Sequence, residues 1–177
     1  MSNTHYSPST QKPPLRPAIL TILLAWGVAG TLDILSAFVT YSLILGKSSP
    51  VHILQGIASV VFGKKAFAGG DVMALNGLAF HYIISLVFVL IYFFLFPALS
   101  FLKDHKWAAG LLYGLFAWGV MNLLVLPVFG RSFHFHWIPV LREALILSVL
   151  FGLPISMIIH RYYSRTSMSA SRGQLTA

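Results

Sequence analysis

The sequence predicts an all-α membrane protein, a four-helix transmembrane bundle with a short re-entrant or interfacial helix between spans one and two. Of its 177 residues, 57% are hydrophobic and only 9% are charged, whereas soluble domains carry about 25% charged residues. Four apolar segments are each long enough to cross a bilayer, which takes roughly 20 residues of helix. These observations exclude an ordinary soluble domain and make the lipid bilayer the first expected partner.

The membrane domain is expected to cover residues 18–163, between two mobile cytoplasmic tails at 1–17 and 164–177. The N-terminal tail is rich in serine, threonine and proline and cannot bury a hydrophobic core. A cleaved secretory signal is the alternative interpretation of the first apolar run, but that run is longer than the roughly 7–15 apolar residues of such signals. A retained helix is therefore favoured. The four spans are expected at about 18–45, 72–97, 107–129 and 139–160.

A shorter helix is predicted at about 50–63, between spans one and two. Ser49 suits its N-cap position and Pro50 its first helical position. The apolar run that follows is too short to cross a bilayer. The segment GKKAFAGGD, residues 63–71, then forms a glycine-rich link to span two.

The distribution of basic residues predicts the orientation. An even number of spans places both termini on one side, and cytoplasmic loops carry an excess of lysine and arginine. The side that holds the termini has seven such residues against four on the other side, so both termini are predicted to be cytoplasmic. Because these residues are spread along the chain, the formal charge of +8 indicates topology, and nucleic acid is not an expected partner.

Polar side chains concentrate in the half of each span that this topology places in the outer leaflet. Side chains three or four residues apart share a helix face, so Gly77, His81 and Ser85 form one stripe along span two. The inner halves hold only Thr21 and Ser156, whose hydroxyls are expected to bond to their own helix backbone. The outer residues predict a ligand or proton pocket formed by Asp33, Asn76, His81, Asn122, Arg142 and Glu143.

Charge balance suggests what this pocket does. An ionised group at mid-membrane costs about 2.5–3.5 kcal/mol on insertion scales, so Asp33 is predicted to point into the bundle and to pair with Arg142 or a neighbouring donor. Arg142 stays protonated, but it can neutralise only one of Asp33 and Glu143. The other acid needs His81, solvent or a proton. This gives the hypothesis of a pocket that binds or passes a proton, an ion or a small solute.

The alternative function is structural. The same polar network would fix the register of the helices in a non-catalytic scaffold, an accessory subunit or an oligomeric membrane protein, whose partner would be a second copy of the chain or another membrane protein. Gly110 and Gly114, in the segment GLLYG, form a GxxxG pattern that lets helices approach closely. An enzyme is not predicted, since no serine or threonine lies in a recognisable catalytic motif.

No cofactor is predicted either. His134 and His136, in the loop GRSFHFHWIP, are weak candidates for a metal site, because two histidines need further ligands to hold zinc or copper. His52 or Asp71 could contribute such a ligand from the other external segment. A haem is not predicted, because His81 has no second histidine at a compatible depth.

Four segments in a fixed order resemble the YagU-like family of small bacterial inner-membrane proteins. They follow the first helix and read SPVHILQGI, WAAGLLYG, LPVFG and HWIPVLREAL, the last of which contains Trp137, Pro139 and Glu143. The resemblance covers most of the chain after the N-terminal tail. It implies a location in the bacterial inner membrane and a four-helix architecture, and it supplies no reaction.

Overall fold

Four long apolar helices dominate the structure, a computed structural model that describes residues 15–130 and 136–175. Every regular element within these two ranges is helical, which confirms the predicted all-α bundle. Each long helix is apolar enough to cross a membrane, so the chain is a multi-pass membrane protein. The four spans are Pro17–Ile44, Gly70–Leu95, Lys106–Val128 and Trp137–Thr166.

Several of the spans are built from more than one helical segment. Span one contains α1 (Leu15–Phe38) and a π-helical segment (Val39–Ile44). It is followed by α2 (Pro50–Phe62), a 3₁₀ turn (Gly63–Ala68) and span two, which is α3 (Gly70–Leu95). After α4 (Ser100–Asp104), span three contains α5 (Lys106–Gly119), a π-helical segment (Val120–Val125) and α6 (Leu126–Val128). Span four contains α7 (Trp137–Leu147), a π-helical segment (Ser148–Gly152) and α8 (Leu153–Leu175).

Prolines account for two of the three π-helical segments. Pro127 and Pro154 each lie two residues beyond the end of such a segment, in spans three and four. A proline inside a helix lacks the N–H donor, and its ring clashes with the carbonyl four residues earlier. The wider π turn relieves that clash. Span four continues well beyond Pro154 as α8, whereas span three ends at Val128, one residue after Pro127.

Spans three and four approach each other at glycines. A side chain at Gly110 would lie 2.9 Å from the Cα of Leu153, and one at Gly152 would meet the backbone of both Gly110 and Gly114. Gly114 itself faces the backbone of Ser148. The two glycines of the GLLYG segment therefore lie in this helix contact, together with Gly152, which the sequence analysis did not single out.

A buried hydrogen-bond chain joins spans two, three and four. The hydroxyl of Tyr92 donates to Ser156 Oγ at 2.7 Å, and Ser156 Oγ donates to the carbonyl of Lys106, also at 2.7 Å. The expectation that Ser156 bonds to its own helix is therefore wrong, because a tyrosine and a helix end from two other spans reach it. Thr21 does bond to its own helix, at the carbonyl of Pro17.

Helix α2 is a half-length element that packs on the first half of α3. Ser49 caps it by accepting a hydrogen bond from the backbone N–H of His52, and its 13 residues extend only about 20 Å, short of the roughly 30 Å hydrocarbon core. The two helices nearly touch at Gly77, where a side chain would collide with the carbonyl of Leu54. The amide of Gln55 donates to the carbonyl of Gly70 and so ties the middle of α2 to the start of α3.

Candidate functional site

All four spans and α2 surround a cavity of about 110 Å³ within the bundle. Its polar lining consists of Asp33 from span one and His81 with Ser85 from span two. The remaining walls are apolar, and they include Ile57 from α2, Ala117 and Met121 from span three, and Leu147 and Phe151 from span four. A cavity of this size holds several water molecules. It is the place where Asp33 faces the interior, as the sequence analysis predicted.

His81 is held in one orientation by the backbone of span one. Its Nε2 lies 2.8 Å from the carbonyl oxygen of Gly30, and because a carbonyl only accepts, Nε2 carries the proton. The ring of Tyr82 packs edge-on against the imidazole, with ring centroids 5.3 Å apart. In neutral His81 the other nitrogen, Nδ1, is therefore a lone-pair acceptor.

That acceptor nitrogen faces the carboxylate of Asp33. The distance from His81 Nδ1 to Asp33 Oδ2 is 4.0 Å, which is beyond direct hydrogen-bond range but short enough for one bridging donor or for an ion pair. The Asp33 side chain is 26% exposed and that of His81 10%. The pair therefore faces the cavity, and the Asp33 carboxylate is the more accessible of the two groups.

Arg142 and Glu143 form a separate cluster with Tyr41, further along span one. The Tyr41 hydroxyl donates to Glu143 Oε1, Arg142 Nη2 lies 3.7 Å from the same oxygen, and the guanidinium lies over the Tyr41 ring at 5.4 Å from its centroid. Eight residues of helix, or about 12 Å, separate Tyr41 from Asp33. The predicted pair of Asp33 with Arg142 is therefore not formed, because Arg142 is already engaged at a different level.

Asn76 and Asn122 do not join either cluster in the part of the chain that the structure describes. The Asn76 amide donates to the carbonyl of Val72 at 2.9 Å, and the Asn122 amide donates to that of Trp118 at 3.0 Å. Each side chain thus bonds four residues back along its own helix. The six predicted pocket residues divide into one cavity pair, one charged pair and two self-bonded amides.

Three polar residues near the cavity were missed as site candidates. The indole of Trp26 donates to the carbonyl of Tyr82 at 2.7 Å, and the Tyr82 hydroxyl lies 2.8 Å from Thr31 Oγ1. These bonds hold span one against span two on either side of the Gly30–His81 contact. Their positions in the sequence are the signal that could have found them. Tyr82 directly follows His81, and Trp26 and Thr31 lie on either side of Gly30.

A larger apolar groove lies beside the cavity. Its volume is about 420 Å³, and it shares the side chains of Ile57, Ile84 and Met121 with the cavity wall. The groove runs between α2, span two and the C-terminal part of span three. Its other lining residues include Gly56, Val60, Phe80, Ile83, Val125 and Phe129.

No group of three metal-ligating side chains converges within residues 15–130 and 136–175. Of the two weak metal candidates, His134 falls outside the described residues, and His136 is exposed just before α7. The ring of His52 packs against that of Phe67 at a tilt of 34°, with centroids 4.8 Å apart, and Asp71 is exposed at the start of span two.

Comparison with known proteins gives no relative from which a function can be transferred. No family model, no curated protein and no solved structure matches the chain.

Proposed function

We propose that the protein binds and exchanges a proton between Asp33 and His81, and that this exchange accompanies the binding or passage of an ion or small solute in the cavity. The observation that supports this proposal is that two hydrogen-bond acceptors face each other. The carbonyl of Gly30 fixes the His81 proton on Nε2, so Nδ1 and the Asp33 carboxylate present lone pairs to each other at 4.0 Å. The arrangement is satisfied when one of them takes a proton or when a donor lies between them.

The charged neighbours of this pair are few. Among the described cavity-lining residues, α2, span three and span four contribute only apolar side chains, and Ser85 of span two does not ionise in this range. Arg142 and Glu143 lie further along the bundle, beside Tyr41, and pair with each other. The charge state of the cavity therefore depends on Asp33 and His81 alone. Pairs of this kind, inside a membrane, are typical of proton and ion pathways.

A binding pocket is favoured over an open channel. On the inner side, Phe88, Val89 and Tyr92 are buried and fill the bundle, with Val89 and Tyr92 at 0% exposure. A polar path from the cavity to the inner surface would have to pass through these side chains. Access is therefore proposed from the outer side or from the bilayer.

Infrared difference spectroscopy between acidic and alkaline buffer tests the proton-binding role. The chain has only four acidic side chains, so the C=O stretch of a protonated carboxylic acid can be assigned by mutation. Asp33→Asn is expected to remove one pH-dependent carboxyl band. Asp104→Asn, at an exposed acid, makes the same chemical change outside the cavity and should leave that band in place.

The pH dependence of the Asp33 band should also respond to His81. His81→Gln keeps an amide donor for the Gly30 carbonyl and removes the second ionisable group of the pair, so it should displace the band's transition along the pH axis. If Asp33→Asn leaves the spectrum of the folded protein unchanged, the proposal is wrong.

A purely structural protein, either a scaffold or an accessory subunit, is the second candidate. The observation that favours it is the Tyr41, Arg142 and Glu143 cluster, whose charges satisfy one another. Under this proposal Asp33 is one more internal contact, and Asp33→Asn removes none of the carboxyl bands that change with pH in the folded protein. The infrared measurement therefore separates the two functions.

The proposed location is the bacterial inner membrane, as the resemblance to the YagU-like family implies, with both termini in the cytoplasm. The orientation rests on the seven basic residues beside the termini against four on the other side. Because the chain has no cysteine, a single introduced cysteine is the one thiol that can be labelled, and its labelling reports the orientation. Lys47→Cys should react with a membrane-impermeant maleimide on intact cells and Asp104→Cys only after lysis, whereas the reverse pattern would overturn the orientation.

A further inference from the structure

The apolar groove adjoins the Asp33–His81 cavity, which supplies polar groups at one side of it. The two spaces share Ile57, Ile84 and Met121 as common walls, so a molecule in the groove lies next to the cavity. The groove volume of about 420 Å³ lies within the roughly 300–1,000 Å³ of small-molecule pockets. Such a site accepts a ligand that has an apolar body and one polar group.

The groove opens toward the bilayer. Val61, Ile83 and Phe129 on its rim are 54%, 58% and 52% exposed, and Ile83 and its neighbour Ile84 belong to a membrane span. Apolar side chains exposed at membrane depth contact lipid. An occupant that partitions into the bilayer therefore reaches the groove without crossing water.

The polar end of the site favours a cation that donates hydrogen bonds. Asp33 is the only acid among the described lining residues of cavity and groove, and neither has a lysine or arginine. With His81 neutral, Nδ1 and the Asp33 carboxylate are both acceptors, and a primary ammonium offers three donors and one positive charge. An alcohol offers one donor and no charge, so it satisfies the site less completely.

We propose that this site binds lipophilic primary amines, with the apolar body in the groove and the ammonium between Asp33 and His81. This inference rests on the proposed function and names its ligand class. The ammonium and the proton compete for the same carboxylate. Amine binding is therefore expected to release a proton from the Asp33–His81 pair in the pH range where that pair is protonated.

The test is equilibrium dialysis of naphthylmethylammonium against the full-length protein in lipid nanodiscs, with empty nanodiscs to subtract partitioning. Wild type is expected to bind the amine saturably, and naphthylmethanol, which has the same apolar body without the charge, more weakly. Losing a charged hydrogen-bond partner costs enough to weaken binding by about tenfold or more. Asp33→Asn should show that loss, and Asp104→Asn should not.

A second set of variants tests the groove independently of the carboxylate. Gly56 lies in the groove wall, and a side chain added there would meet nothing within 4 Å. Gly56→Phe or the smaller Gly56→Leu should therefore fill the groove, abolish saturable binding, and leave the infrared band of Asp33 unchanged. Gly27 on span one also has nothing within 4 Å and does not line the groove, so Gly27→Phe should bind the amine normally.

The outcomes separate this inference from the proposed function. If the Asp33 band changes with pH but no saturable amine binding is found, the ligand class is wrong and the proton site stands. Equal binding of amine and alcohol that is unaffected by Asp33→Asn means that the groove holds any apolar chain, and this also overturns the inference. If neither the band nor binding depends on Asp33, both proposals fail together.

Discussion

Gly114→Ala is expected to lower the free energy of unfolding by about 1–3 kcal/mol or more, because overpacking a close helix contact forces backbone shifts. The added methyl group would lie 2.6 Å from the carbonyl oxygen of Leu147 and 2.8 Å from the backbone nitrogen of Ser148. Backbone atoms cannot rotate out of the way as a flexible side chain can. Span four would have to move away from span three, and with it Leu147 and Phe151 of the cavity wall.

Unfolding in mixed micelles, followed by helical circular dichroism during titration with a denaturing detergent, measures this effect. Gly119→Ala is the matched control on the same helix, since a side chain there would meet nothing within 4 Å. Alanine favours helix over glycine by up to about 1 kcal/mol at both positions, so the difference between the two variants isolates the steric clash. Equal stabilities would show that spans three and four do not pack through Gly114.

Gly77→Ala is expected to displace α2 from span two. A methyl group at this position would collide with the carbonyl oxygen of Leu54 and lie 2.7 Å from its carbonyl carbon. Helix α2 is short and adjoins a 3₁₀ turn and a loop, so it can move while the four spans stay assembled. Moving α2 also removes Ile57 from the walls of both the cavity and the groove.

Distances between spin labels on α2 and span two measure the displacement. Val61 and Leu75 are exposed, and the chain has no cysteine to interfere, so labels can be placed at both positions. Gly77→Ala should lengthen the distance, weaken saturable amine binding, and change overall helix content little. Gly56→Ala, on α2 but with nothing within 4 Å of the added methyl group, should leave the distance between the labels unchanged. An unchanged distance in Gly77→Ala contradicts the close α2–α3 contact.

Much of the architecture was predictable because a bilayer restricts a chain to few solutions. Backbone groups must be paired within each span, so four long apolar runs dictate four helices. Ser49 and Pro50 marked the start of α2 for the same local reason that makes them a helix N-terminus elsewhere. The π-helical segments were not predicted, although Pro127 and Pro154 were visible. A proline signals a disturbed turn without specifying whether the helix ends, kinks or widens.

The candidate site was only partly predictable, because depth along a helix is readable from sequence while rotation about its axis is not. Asp33 and His81 were expected in the same outer half, and they do face one cavity. Arg142 was assigned to the same pocket because its partner Tyr41 was not considered. The amides of Asn76 and Asn122 donate hydrogen bonds to carbonyls of their own helices. Whether an amide does so depends on its side-chain rotamer alone.

The most direct test measures which ring nitrogen of His81 carries the proton. It uses the nitrogen NMR shifts of isotope-labelled histidine in lipid nanodiscs. The chain has seven histidines, and the resonances lost in His81→Gln identify the right one. Neutral His81 is expected to carry its proton on Nε2, which faces the carbonyl of Gly30, and Asp33→Asn is expected to change the shift of Nδ1, which faces the carboxylate. A neutral ring protonated on Nδ1, or an Nδ1 shift that is the same in wild type and Asp33→Asn, would contradict this assignment.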